Sequence, residues 1–188
     1  MASNLTKQAL TASLIKLLNK MPLDKITVKL LVEDCGVNRN TFYYHYQDIF
    51  ALLEEIFNDE AERIIAKYWD KMDWKGALIE GTQFVIDNKK AINNVFTSAY
   101  RSYFERYYDK VVGAIMHQFV LRQAEGLTVA EGDMVLVERF YKHAFIGAVR
   151  EWIDAGMDSD VIKAICRLGE IFEGDIRKKL ERLDAEKQ

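Results

Sequence analysis

Thr27 to Asp48 reads TVKLLVEDCGVNRNTFYYHYQD, and the reading of this stretch decides the fold. Val28, Leu31, Val32 and Cys35 recur at the spacing of one helical face, so the segment opens as a short amphipathic helix. Gly36 is the residue type that takes positive φ without steric cost, as a sharp turn after a helix requires. Val37 and Phe42 then return to the apolar side. Between and around them stand Asn38, Arg39, Asn40, Thr41, Tyr43, Tyr44 and His45, donors and acceptors with little reason to be buried. Two short helices about a glycine turn, the second presenting polar and aromatic groups, form helix-turn-helix grammar. Such a surface suits a DNA groove.

Upstream, residues 4 to about 20 place Leu10, Leu14, Leu17, Leu18 and Met21 on one stripe, with Lys7, Gln8, Lys16 and Lys20 mostly away from it. Pro22 ends that helix, because its ring cannot continue the hydrogen-bond ladder. Thr27, Asn38 and Asp48 are placed to cap the second, third and fourth helices with side-chain oxygens. The fourth is longer: Ile49, Leu52, Leu53, Ile56, Phe57, Ile64 and Ile65 keep helical spacing to about Trp69. Five further helices are expected, over about 74–87, 89–97, 99–125, 129–156 and 159–184, with Thr128 and Glu131 as a capping box for the fourth of them. The organisation is thus a three-helix head over 1–48 and a helical body of about six helices over 49–188.

The whole chain has 188 residues, 49% of them hydrophobic, enough for a sizeable core. A single proline, ten glycines and the absence of alternating runs between turn clusters leave little room for sheet, so the class is all-α. No segment approaches the roughly 18 apolar residues of a membrane span and the N-terminus lacks a secretory pattern, so a cytoplasmic location is expected. The net charge of −3 divides unevenly: residues 1–50 carry six Lys/Arg against four Asp/Glu, or +2, leaving −5 for the rest. That asymmetry points polyanions toward the N-terminal end. Cys35 and Cys166 lie far apart within apolar helical patterns and read as core, not as a metal motif. There is no glycine-rich phosphate loop, HExxH pair or nucleophile elbow, and His45, His117 and His143 are scattered, so no catalytic set, metal site or cofactor is called for.

The run ITVKLLVEDCGVNRNTFYYHYQDIFALL resembles the DNA-binding domain of the TetR family of bacterial transcription regulators: a threonine, a hydrophobic helix, a glycine-valine turn, then threonine, two aromatics and a histidine. The resemblance covers roughly the first quarter of the chain. Val32 stands where the family usually has alanine, and Ile49 where it often has a lysine on phosphate, which removes one expected contact. The residue chemistry assigns roles. Arg39 can pair bidentately with guanine and Asn40 with adenine, making them the base readers. Thr41, Tyr43 and His45 suit phosphate oxygens, Tyr43 and His45 matching family positions that touch the backbone. Thr27 and Lys29 can hold a phosphate at the start of the second helix. Asn38 is a cap as well as a candidate contact, and Tyr44 either meets a thymine methyl or packs on the fourth helix.

In the body, Phe140, Ala144, Phe145, Ala148, Val149, Trp152 and Ile153 form one stripe, and Ile162, Ile165, Gly169, Phe172, Ile176 and Leu180 another. The resemblance implies that this C-terminal pair makes a four-helix bundle with a second subunit, through Phe140, Ala144, Ala148, Trp152, Ile165, Gly169, Phe172 and Ile176. From the residues alone the alternative is an internal core face. Tyr100, Tyr103, Phe104, Tyr107, Tyr108 and the more distant His117 crowd one helix; Tyr100, Tyr103, Tyr107 and His117 are candidate walls of a pocket for the small-molecule effector that the resemblance implies. The expectation is a homodimeric repressor released from a palindromic operator on double-stranded DNA by such an effector. The competing readings are an activator or regulator governed by a partner protein, and a helical interaction protein without DNA binding.

Overall fold

The computed structural model describes residues 2–69, 73–157, 160–172 and 174–185, and all regular structure among them is helical. In chain order the helices are α1 (Ala2–Leu18), α2 (Val28–Cys35), α3 (Arg39–His45), α4 (Ile49–Tyr68), α5 (Trp74–Asp87), α6 (Lys89–Phe96), α7 (Arg101–Gln123), α8 (Glu131–Asp154), α9 (Val161–Ile171) and α10 (Asp175–Ala185), with a 3-10 turn over Leu23–Lys25. The helices group into two compact units. One comprises residues 1–60 with 87–107, the other 61–86 with 108–188, so α4 and α7 each contribute to both.

In the first unit α1 packs on α2 and on α6, and α2 on α3. Leu10, Leu14, Leu31, Phe42 and Leu52 are fully buried there, Val95 nearly so. Burying a side chain the size of Phe42 contributes about 2–3 kcal/mol relative to leaving it in water. The Asn94 amide of α6 donates to the Leu18 carbonyl at the end of α1 (2.7 Å), satisfying a carbonyl that the helix leaves open. Thr27 Oγ1 accepts from Leu30 N (3.2 Å), Asn38 Oδ1 from Asn40 N (2.7 Å) and Asp48 Oδ1 from Ala51 N (2.8 Å), so the three expected caps form.

In the second unit α5 lies close to its neighbours because Gly81 has no side chain: a Cβ there would stand 3.7 Å from Ile64 and 3.9 Å from Val111. Thr82 and Tyr108, both buried, share a hydrogen bond of 3.3 Å. Glu80 gathers Arg63 (2.5 Å), Lys67 (2.5 Å) and Tyr68 (2.7 Å) from α4. Arg177 of α10 donates to the carbonyls of Gln123 (2.7 Å) and Glu125 (2.9 Å), closing the end of α7.

Two expectations about helix ends are corrected. The single helix expected over 159–184 is two: α9 stops at Ile171 and α10 begins at Asp175, with Gly174 at φ +70°. The apolar spacing carries through that break because both helices bury the same side of the chain, Ile165 before it and Ile176 after. The start expected at 159 lies outside the described residues. The capping box at Thr128 does not form either. Ala130 is the residue that caps α8, without a side-chain bond, and the Thr128 amide donates instead to Asp184 Oδ1 (2.7 Å).

Candidate nucleic-acid interface

Gly36 ends α2 in the left-handed region, at φ 72° and ψ 19°, and so turns the chain into α3. From there α3 is fixed from below and bare above. Phe42 is wholly buried, and Tyr46, 4% exposed, caps the helix C-terminus by donating its amide to the Phe42 carbonyl (2.9 Å). Arg39, Asn40, Tyr43 and Tyr44 are exposed, Tyr44 to 82%, while Thr41 and His45 are half-buried at the margins. Arg39, Asn40, Tyr43 and Tyr44 thus stand on the outer side of α3, opposite Phe42.

Within that surface the Arg39 guanidinium donates to the Tyr43 hydroxyl (3.3 Å) and lies 5.6 Å from the Tyr43 ring centroid. Residues four apart on a helix are neighbours, so the pair follows from spacing. It holds the arginine along the outer face of α3. Tyr44, 82% exposed, meets the His45 ring edge-on at 5.0 Å. Asn38 has its carbonyl committed to the cap. Thr27 and Lys29 are exposed at the start of α2; Lys29 approaches Glu33 only at 3.9 Å, with both well solvated, a pair that contributes little.

Beneath the surface lies a network that the sequence does not announce. Glu55 of α4 accepts from Lys7 of α1 through both carboxylate oxygens (2.9 Å each) and from the Tyr46 hydroxyl (2.8 Å). Burial, and then the neighbouring Glu55 carboxylate, hold the Tyr46 phenol well above its ordinary titration range. One carboxylate thus ties together α1, the end of α3 and α4. Lys7 and Glu55 are 48 positions apart, and each by itself looks like a solvated helix residue, so no local signal could have found them. Likewise Ser13, 4% exposed, donates to Asp34 (2.6 Å), which also receives Lys16 (2.7 Å). Ile49 is buried at the start of α4, a core residue at the position where the family often has a phosphate-binding lysine.

The other candidate sets separate. Tyr100 stacks on Phe50 at 3.8 Å, Tyr103 lies under Arg106 at 4.4 Å, and Tyr107, 2% exposed, stacks on Phe57 at 5.3 Å. These tyrosines pack the first unit. His117 is exposed in the second and meets Glu138 at 2.9 Å. Tyr100, Tyr103 and Tyr107 thus belong to the first unit and His117 to the second. Of the expected dimer residues, Phe140 (69% exposed), Ala144, Ala148 and Phe172 are at the surface. Trp152, Ile165 and Ile176 are interior to their own chain, and Gly169 is half-buried under the Lys75 stem. No helix among the described residues is long and apolar enough to cross a membrane, and no group of His, Cys, Asp or Glu among them could hold a metal ion.

Comparison with solved structures places the whole chain in one architecture. The dihydroxyacetone kinase operon activator DhaS superposes with a TM-score of 0.76 at 16% identity, over 95% of this chain and 98% of that one. A TetR transcriptional regulator from Streptococcus agalactiae 2603V gives 0.59 at 20% identity, over 89% and 92%. Both likenesses are of fold. No curated protein matches the sequence. The family model TetR_C_8, described as a transcriptional regulator C-terminal region, matches residues 72–174, more than half of the chain and a segment separate from the helix-turn-helix. With the outward α3 at one end and this match in the body, the chain belongs to the TetR family of transcription regulators.

Proposed function

We propose that the protein is a homodimeric DNA-binding regulator that reads a palindromic operator through α3, with Arg39 and Asn40 on base edges, Tyr44 against a thymine methyl, and Thr27, Lys29, Thr41, Tyr43 and His45 on the backbone. The observation that carries this reading is the joint exposure of Arg39, Asn40, Tyr43 and Tyr44 above the buried Phe42 and Tyr46. Short polar and aromatic groups on a rigid, capped helix suit major-groove readout, in which a bidentate arginine or asparagine discriminates by roughly 1–3 kcal/mol per base pair. The dimer surface is the exposed side of α8, where Val135, Leu136, Phe140, Ala144, Gly147 and Ala148 succeed one another along the helix. A contiguous apolar stripe on a surface helix marks an association site. Two copies joined there present two recognition helices to half-sites about 34 Å apart. The regulator is a repressor whose effector favours a body conformation that splays the heads, which lowers operator affinity by its differential binding alone.

Selection of bound duplexes from a randomised library with the full chain tests the reading. An inverted-repeat site should emerge, its affinity should fall steeply with salt as phosphate neutralisation requires, and Arg39→Ala should relax preference at one symmetric base-pair position. Failure to enrich any site, or an unchanged preference with Arg39→Ala, overturns it. A reporter driven from the selected site gives the sign of regulation, with increased expression identifying an activator.

A further inference from the structure

Away from α3, the second unit contains a cleft of about 330 Å³ at the first turn of α5, bordered by α7 and by the α9–α10 break. Trp74, Phe119 and Phe172 form its walls, and Asp73, Lys75 and Glu170 stand at its rim. Behind the same three aromatics is a narrow recess of about 20 Å³, closed by Met116, Phe145 and Ile176. The volume lies at the lower end of the range for small-molecule sites, roughly 300–1,000 Å³, and three aromatic side chains share the lining with three charged ones. The recess is lined mainly by apolar side chains, with Tyr141 the one that carries a hydroxyl.

The rim charges differ in what already satisfies them. Glu170 is paired with Arg167 (2.7 Å), and Asp73 Oδ1 accepts from the Gly76 amide (2.7 Å) at the start of its own helix. Lys75, exposed, has no ion-pair partner among the described residues. Its stem passes directly over Gly169, where a Cβ would stand 2.8 Å from Lys75 Cδ. The glycine therefore gives Lys75 the room to lie along the cleft. We propose that this cleft binds a small aromatic carboxylate, its ring between Trp74, Phe119 and Phe172 and its anionic end on Lys75 Nζ. The cleft is the effector site of the regulator, a role that rests on the DNA-binding reading above, whereas occupancy itself does not.

Naphthalene-2-carboxylate and its uncharged analogue naphthalene-2-carboxamide, titrated into the DNA-free full chain by calorimetry and tryptophan fluorescence, test it. The carboxylate should bind about tenfold more tightly, as a charge-assisted contact predicts. Lys75→Met, which keeps the stem and removes the charge, should abolish that preference while leaving the carboxamide unchanged. Gly169→Ala, which displaces the stem, should weaken the carboxylate alone, with unaltered circular dichroism showing that the fold survives. Equal affinity for the two probes, no binding of either, or an undiminished preference in Lys75→Met overturns the proposal. In a second arm, the carboxylate is added to the complex with the selected operator. Binding to the chain without release of DNA removes the effector role and keeps the site, whereas binding by a chain that selects no operator removes the DNA reading and keeps the site.

Discussion

Replacing Gly36 with alanine isolates a single term in the stability of the head. A Cβ at this position would meet nothing within 4 Å, so no clash contributes, but the backbone sits at φ +72°. Holding an L-residue in the left-handed region costs roughly 1–2 kcal/mol. Alanine also restricts the unfolded chain, which returns roughly 0.5 kcal/mol, leaving a net loss of about 1 kcal/mol, or about a fivefold rise in the opening constant of the α2–α3 turn. Trp69, Trp74 and Trp152 all fall in the second unit, so fluorescence is blind to this change. Hydrogen exchange is the suitable assay, with the Leu31 amide (3.0 Å to the Thr27 carbonyl) and the Phe42 amide (3.1 Å to the Asn38 carbonyl) as probes. Both should exchange about fivefold faster in Gly36→Ala and about half as much faster, on a logarithmic scale, in Gly36→Asn, since asparagine tolerates this region better. Gly126→Ala is the control: φ is +79°, again with nothing within 4 Å, but it lies in the second unit and should leave both probes alone. Unchanged exchange in Gly36→Ala, or a loss above about 3 kcal/mol, would refute the premise that the turn needs only backbone freedom.

Glu80 supplies an acid-side prediction. Burial favours its neutral form, but hydrogen bonds from Lys67, Tyr68 and Arg63 outweigh that and bring its pKa down to about 2. A depressed folded-state pKa means stability fully present above the ordinary value near 4.5 and lost as pH falls toward 2; Glu80→Gln should therefore flatten the acid limb of a tryptophan-monitored stability profile, and parallel limbs would count against the network. Tyr108 gives the alkaline counterpart: burial raises its phenol to about 12 against a smaller opposing effect of Thr82, so stability holds below pH 10 and declines as pH rises toward 12. Tyr108→Phe should remove that part of the decline, measured by urea unfolding at successive pH values. Phe140→Asp places a charge at the centre of the exposed α8 stripe, where Phe140 is 69% exposed, and should give a folded monomer in sedimentation equilibrium. A dimer that persists unchanged would move the interface elsewhere.

The head was legible because its signals are local. Thr27, Gly36, Asn38 and Asp48 each act within three or four residues, through a cap or a backbone region, and the buried Leu31 and Phe42 follow helical spacing from them. The supports of α3 were not legible for the opposite reason. Glu55 joins Lys7 and Tyr46 across three helices, and no periodicity records which solvated carboxylate turns inward.

The body shows where helical periodicity stops being informative. A stripe tells that one side of a helix is apolar, but not what covers it. The spacing of the aromatics from Tyr100 to Tyr107 did not show their neighbours: Tyr100 stacks on Phe50, and Phe104 and Tyr107 meet Phe57. On α8 two apolar sides compete. Tyr141, Val149, Trp152 and Ile153 go inward, and Val135, Leu136 and Phe140 remain in water, so the stripe read as one surface is divided between two jobs. Large aliphatic and aromatic groups left exposed on a helix whose other side already packs its own chain gain no burial energy in an isolated molecule. A second surface would bury that area, and Ala144, Gly147 and Ala148, also exposed and with open space at the Gly147 Cβ, are small residues that leave room for another helix to come close. The same helix thus carries the core of one subunit and the proposed contact with the next, and a movement of its inner side toward an occupied cleft would necessarily reach the outer one.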